Sequence, residues 1–209
     1  MREVREVPRT GSNAALPPDV LAFSTVEGQA SESAGEMTSR WTAGPEECPA
    51  PFSSYRDVVR PEWIDDNGHL NMGYYVVVFD LATDAWFQYL GLDQQHRRSR
   101  MVTTFCLEAH VTYHREVREG APLRFTTRLL GWDAKRIHYF HEMYHADLGY
   151  LAATNELMSL HVSRETRRGT AMAREILDRL ARIQAIHDGL PLPPQVGRRM
   201  GLAARPTTR

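Results

Sequence analysis

The chain is short of several things, and each shortage excludes something. Its 209 residues contain two cysteines, Cys48 and Cys106. Two are too few for a disulfide-built scaffold and fit a reducing compartment, the cytoplasm. Both read as buried or incidental thiols. There is no excess of charge of one sign, because the formal net charge is −1. That argues against nucleic acid or an anionic membrane surface as a partner. No apolar run approaches the roughly 18 residues of a membrane span. The opening MREVREVPRTGSNAALPPDV carries charge and proline but no apolar signal core, so secretion is not expected. No internal repeat and no Gly-x-Ser-x-Gly elbow occurs, so nucleophilic-serine chemistry lacks its motif.

What remains divides into three parts. Residues 1–49 are dominated by Gly, Pro, Ser, Ala and Glu and hold no sustained period of 2 or 3.6. They read as a disordered extension or linker, within which Met37 is an alternative start. Residues 50–200 form the ordered domain, and 201–209 read as a second disordered tail. Within the domain, SYRDVVR is a short strand ending at Pro61. GYYVVVFDLATDAWFQYLGL follows, with Tyr75, Val78, Phe79, Ala82, Trp86, Tyr89 and Leu90 at helical steps. Asn71 suits its N-cap and Gly91 its C-terminal cap. Val76, Val77, Leu81 and Ala85 make the opposite face apolar too, which suggests a helix wrapped by a sheet. Four strand-like runs come next, beginning with MVTTFCLEAHVTYHRE, where Phe105, Leu107, Ala109, Val111 and Tyr113 alternate. Asp147, Leu148 and Gly149 mark a turn between the last two, and short turns favour antiparallel pairing. A final amphipathic helix shows the stripe Ile176, Leu180, Ile183 and Ile186 and ends at Gly189. The order predicts an α+β domain.

Chemistry concentrates in WIDDNGHLNMGYY, residues 63–75. Asp65 and Asp66 are carboxylates, able to act as nucleophile or as general base toward water. The start of a helix leaves backbone N–H groups unpaired and carries partial positive charge. An oxyanion forming there gains about 3–4 kcal/mol per well-placed donor. Gly68 and Gly73 allow close backbone approach. The same residues are also ordinary turn and capping residues, so local chemistry alone leaves both readings open.

D-x-N-G-H-x-N followed by YY and a long apolar helix resembles the hot-dog acyl-CoA thioesterases of the 4-hydroxybenzoyl-CoA thioesterase type. The resemblance covers about residues 53–200. It implies a hot-dog fold, a long central helix wrapped by a five-stranded antiparallel sheet. It implies hydrolysis of an acyl-CoA thioester without metal or organic cofactor. It puts the catalytic carboxylate at Asp65 and the carbonyl-polarising amide at Met72, with Gly73 beside it. Asn67, His69 and Asn71 would order the loop and its water. It also implies pairing into homodimers or homotetramers, with the active site between subunits. Together PEWIDDNGHLNMGYYVVVFDLATDAW, HREVREGAPL, LLGWDAKRIHYFHEMYHAD and PLPPQVGRRMGL resemble, more narrowly, the betainyl-CoA thioesterases of carnitine breakdown. A quaternary ammonium of that kind is bound by aromatic faces, for about 0.5–2 kcal/mol each. Trp63, Tyr74, Tyr75 and Trp86 are the nearby aromatics, and Asp66 adds negative charge; Tyr75 and Trp86 are better explained as core residues of the helix stripe. Another short or aromatic acyl-CoA, or a non-catalytic acyl-CoA-binding module, stays open as an alternative. Hot-dog hydratases resemble Asp-x-Asn-Pro-x-His, with the histidine one position later than His69 stands after Asp65.

Lys135 and Arg136, in a turn, and Arg198 and Arg199 are two basic pairs suited to coenzyme A phosphates. His138, His141 and His145 with Glu142 look like metal ligands until strand parity is applied. His138 then faces opposite to His141 and His145, so the set does not converge and no metal is expected.

Overall fold

The computed structural model describes residues 49–53 and 55–201. The expectations for the N-terminal extension, Met37, Cys48 and the tail after 201 lie outside the described residues. The described residues all fall within one of two units into which the chain divides, Ala43–Arg209.

Strand β1 (Arg56–Val58) is followed by a 3-10 turn at Pro61–Trp63 and then by helix α1 (Met72–Leu90). A short helix α2 (Gln94–Ser99) precedes strands β2 (Val102–Tyr113), β3 (Pro122–Trp132), β4 (Arg136–His145) and β5 (Leu151–Ser163). Helix α3 (Arg174–His187) closes the order. The five strands form one antiparallel sheet in the order β1-β3-β4-β5-β2. This is the expected hot-dog layout, with α1 packed on one face of the sheet.

Both ends of α1 are set by the residues predicted for them. Asn71 is extended and its side chain accepts from Gly73 N at the N-terminus, while Gly91, at φ 83°, takes the left-handed conformation at the other end. The buried side of α1 is Tyr75, Val78, Phe79, Ala82, Thr83, Trp86, Phe87 and Leu90. Its first half packs with Leu123, Phe125 and Met143. Its second half packs with Leu129, Ile137, Tyr139 and the α3 residues Ile176, Leu180 and Ile183. Each fully buried side chain of this size contributes about 1.5–3 kcal/mol by leaving water.

One polar group sits inside this core. His141 is fully buried between Thr83 on α1 (2.9 Å to Nε2) and Thr127 on β3 (2.8 Å to Nδ1). The Thr83 hydroxyl spends its proton on the Phe79 carbonyl (3.0 Å), so Nε2 of His141 must be the donor and Nδ1 the acceptor. Burial pushes the imidazole down to about 3, which keeps it neutral.

Three expectations need correction. Ile186 is exposed, and the fourth inward position of α3 is the buried His187, whose Nδ1 accepts from Leu129 N (2.9 Å). Val76 and Val77 are each 46% exposed, because the sheet covers only one side of α1. The alternating apolar residues of β2 stay largely open: Leu107 and Tyr113 are exposed, because β2 is an edge strand with β5 as its one neighbour. Of the two readings of Cys106, on the same strand, its exposure leaves the incidental thiol. The parity of the histidines is as expected: His141 faces α1, and His138 pairs instead with Glu156 (2.8 Å). No helix among the described residues is long and apolar enough to cross a membrane.

Candidate active site

Residues 63–71 form a closed loop rather than an open one. Ile64 and Leu70 face each other as an antiparallel bridge, and Asn71 N donates to Trp63 O (2.9 Å) across its mouth. Inside, Asp65 N donates to His69 O (3.1 Å) and Gly68 N donates to Asp65 O (2.9 Å). Gly68 has φ 78°, a conformation that only glycine adopts without cost. Leu70 N donates to Val117 O (2.8 Å), tying the loop to the segment between β2 and β3.

Asp65 takes part in that architecture. Its Oδ1 accepts from Asn67 N (2.9 Å), an Asx turn. The His69 ring nitrogen Nδ1 lies 3.9 Å from the same oxygen, beyond hydrogen-bond length, with the His69 and Asp65 side chains 33% and 23% accessible. Oδ2 has no hydrogen bond among the described residues. Asp66 and Asn67 are exposed flanks of the turn.

At the helix start the two expected amides differ. Gly73 N donates to Asn71 Oδ1 (2.9 Å), so the amide assigned to a substrate carbonyl is already used by the N-cap. Gly73 is therefore corrected from donor to capped position. Met72 N has no partner among the described residues, at the positive end of α1. It is the open donor of the first turn.

Trp63 is also corrected. It is 5% exposed, packs within the core, stacks on Tyr74 (5.9 Å between ring centroids), and carries the Arg60 guanidinium 4.6 Å from its own centroid. A ring already in contact with a cation and buried on its other sides is not a platform for a second one. Tyr75 and Trp86 are core residues as well. Burial pushes the Tyr75 hydroxyl up to about 12, and a bond from the Val117 backbone works the other way.

Lys135 and Arg136 do not reach this loop within one chain. Ala121 O, just before β3, accepts from Val59 N (3.0 Å), so the loop side is the Pro122 end of that strand. Lys135 and Arg136 lie past its Trp132 end, about 30 Å of strand away. Arg136 is moreover held by Asp133 (2.7 Å), whose carboxylate also accepts from Lys135 N (2.8 Å).

The description "Thioesterase-like superfamily" belongs to the sequence model that matches residues 59–180, more than half of the chain. The chain belongs to that superfamily. It is 41% identical over 151 residues to a betainyl-CoA thioesterase of Pseudomonas aeruginosa, covering 72% of this chain and 95% of that protein. It is 35% identical over 147 residues to an L-carnitine dehydrogenase/betainyl-CoA thioesterase of Agrobacterium fabrum, covering 70% of this chain but 30% of that longer protein. A hypothetical protein from Staphylococcus aureus, solved in complex with CoA, superposes with a TM-score of 0.68 at 28% identity, covering 71% of this chain and 94% of that one. The hot-dog fold is thus that of its thioesterase relatives.

For a thioesterase-like chain, two further residues shape the site, and reading the sequence passes them over. Tyr113, 47% exposed at the end of β2, donates to Met72 O (3.3 Å) and meets Tyr75 edge-on at 5.1 Å. Val117 holds Leu70. Tyr113 had a signal, being an aromatic at the end of an alternating run. Val117 had none, since its contribution is a backbone carbonyl.

Proposed function

We propose that this chain is an acyl-CoA thioesterase whose substrate is betainyl-CoA, released as betaine and free CoA. The reading is carried by one conjunction. Asp65, with Oδ2 unbonded, stands in the loop that leads to the open Met72 N–H, in a chain 41% identical to a betainyl-CoA thioesterase along nearly all of that protein's length. The thioester carbonyl oxygen sits at Met72 N–H, where the helix terminus polarises it. Asp65 either attacks the carbonyl carbon, giving an anhydride that water cleaves, or takes a proton from an attacking water. In both routes the C–S bond breaks and CoA leaves as the thiolate. Asn67 and His69 order the loop, and Asn71 fixes the first turn. Tyr74, partly accessible, and the exposed Asp66 are the groups assigned to the cationic acyl end.

A second copy of the chain belongs to this proposal. Met72, Val76 and Val77 are exposed along α1, and β2 beside it is a free sheet edge. Covering both by self-association removes an aggregation-prone edge and an apolar strip together. Sedimentation of wild type as at least a dimer, and of Val76→Glu/Val77→Glu as a smaller species, is the expected result.

The enzymatic test is thiol release from betainyl, short-chain, long-chain and aromatic acyl-CoAs by wild type and Asp65→Asn. Wild type is expected to prefer betainyl-CoA, and Asp65→Asn to lose at least about 100-fold in kcat. No thiol release from any of them ends the enzyme reading. Full rate in Asp65→Asn ends the role of Asp65. Activity on long-chain but not betainyl thioesters ends the substrate assignment.

A further inference from the structure

The chain after α3 is a strap with two fixed ends. At its start the Arg128 guanidinium donates to three backbone carbonyls, those of His187 (3.1 Å), Leu190 (2.8 Å) and Pro191. At its far end Gly197 N donates to Glu156 Oε2 (2.7 Å), while Glu156 Oε1 is held by His138 Nε2 (2.8 Å). The anchors belong to a single row across the sheet. Arg128 is directly opposite Phe140, Phe140 opposite Glu156, and Glu156 opposite His110 on β2. This row is on the face away from α1, and its Phe140 is 1% exposed.

Beyond Gly197 the strap delivers Arg198 and Arg199 to the edge strand. With His110, Tyr113 and Met200 they line a groove of about 580 Å³ whose lining contains no acid. Among the described residues neither guanidinium is in an ion pair, whereas Arg136 of the other basic pair is bound by Asp133. The one carboxylate anchoring the strap, Glu156, is already engaged by His138 and Gly197. The groove also touches the site: its wall residue Tyr113 donates to Met72 O, in the residue whose N–H is the open donor.

We propose that Arg198 and Arg199 bind phosphate groups of the coenzyme A moiety, so that the strap forms the nucleotide end of the substrate groove; this rests on the thioesterase reading above. Two adjacent guanidinium groups suit phosphate oxygens by their forked, permanently charged geometry. A thioester at Met72 and phosphates at the strap place the pantetheine arm along Tyr113.

The test compares an acyl-CoA with the same acyl group on pantetheine, which lacks the phosphates. In Arg198→Ala/Arg199→Ala, the ratio of kcat/KM for acyl-CoA to that for acyl-pantetheine is expected to fall about 10- to 100-fold, through KM. Arg198→Lys/Arg199→Lys is expected to recover part of the ratio, because charge remains while the fork is lost. A misfolded variant loses both substrates equally and leaves the ratio unchanged, so calorimetric titration with adenosine 3′,5′-bisphosphate is run beside it. Wild type is expected to bind this probe, and the alanine variant, with an unfolding midpoint matching wild type, is expected not to. An unchanged ratio in a folded variant, or equal binding of the probe by both proteins, overturns the proposal. If wild type cleaves no thioester but still binds the probe through these arginines, the thioesterase reading fails and the phosphate site stands.

Discussion

Asn71 connects the stability of α1 to the proposed chemistry, so its removal makes a demanding test. Its side chain accepts Gly73 N at 2.9 Å and is the side-chain cap of a 19-residue helix. Asn71→Ala leaves that N–H to water and removes the cap, at a cost of about 1 kcal/mol. For a domain of this size that lowers the melting midpoint by about 2–4 °C. Asn71→Asp keeps an acceptor at the same place and adds a negative charge at the positive helix end, so it should match or exceed wild type. The kinetic consequence is separable. Freeing the first turn loosens Met72, and one well-held oxyanion donor is worth about 10²–10³ in kcat. Asn71→Ala, assayed well below its midpoint, should therefore lose kcat by about tenfold or more. Thermal unfolding with steady-state thiol release reads both quantities. If Asn71→Ala melts with wild type, the cap is absent. If it melts early but keeps full kcat, the first turn of α1 does not position the carbonyl, and the assignment to Met72 is wrong.

Further outcomes follow from single observations. Gly68→Ala meets no atom within 4 Å but must hold φ 78°, so it should cost about 1–2 kcal/mol in chemical denaturation, and Gly68→Asn should cost less. Trp63→Ala should lower stability by about 3–5 kcal/mol and affect all acyl-CoAs alike, because the ring is core; a loss confined to betainyl-CoA would reverse that placement. His141 is held neutral at about 3 against an ordinary 6.5, so the unfolded chain takes up its proton first as pH falls. Its contribution is complete above pH 6.5 and is lost toward pH 3, about 2–3 kcal/mol of it by pH 4.5. Urea unfolding at pH 7.5 and 4.5 should show this loss, and His141→Gln, which can still bridge Thr83 and Thr127, should flatten it. Burial also lowers His161 and His187, so some slope should persist in that variant.

Much of the architecture was readable because it is written locally. Helix α1 carries its cap, its three-and-four spacing and its terminal glycine within one continuous stretch, and all three hold. The strands were readable from alternation and turns. Helix α2 was not, since six residues are too few to show a period and only the Asp93 cap marks it. The α3 stripe erred at one position for an instructive reason. The steps 176, 180, 183 and 187 continue the helical phase better than 186 does, but position 187 is a histidine and 186 an isoleucine. Phase won over hydrophobicity because the Leu129 N–H meets the imidazole and removes the cost of burying it.

At the site, residue types were legible and occupancy was not. That Asp65 precedes a helix start capped by Asn71 can be read from the chain, but a cap of this kind can take either the Gly73 or the Tyr74 amide, and the choice of Gly73 is seen only in the structure. The two basic pairs make the same point over longer range. Lys135–Arg136 and Arg198–Arg199 are both basic pairs as text. Topology separates them: one pair lies in the β3–β4 turn at the far end of the strand, with its Arg136 held by Asp133, while the other is carried across the sheet by anchors on β3, β4 and β5. None of those anchors is near residues 198–199 in sequence, so only the sheet order reveals them. A basic pair becomes a phosphate site when the fold leaves its charge unpaid and aims it at the reaction, and only the second pair meets both conditions.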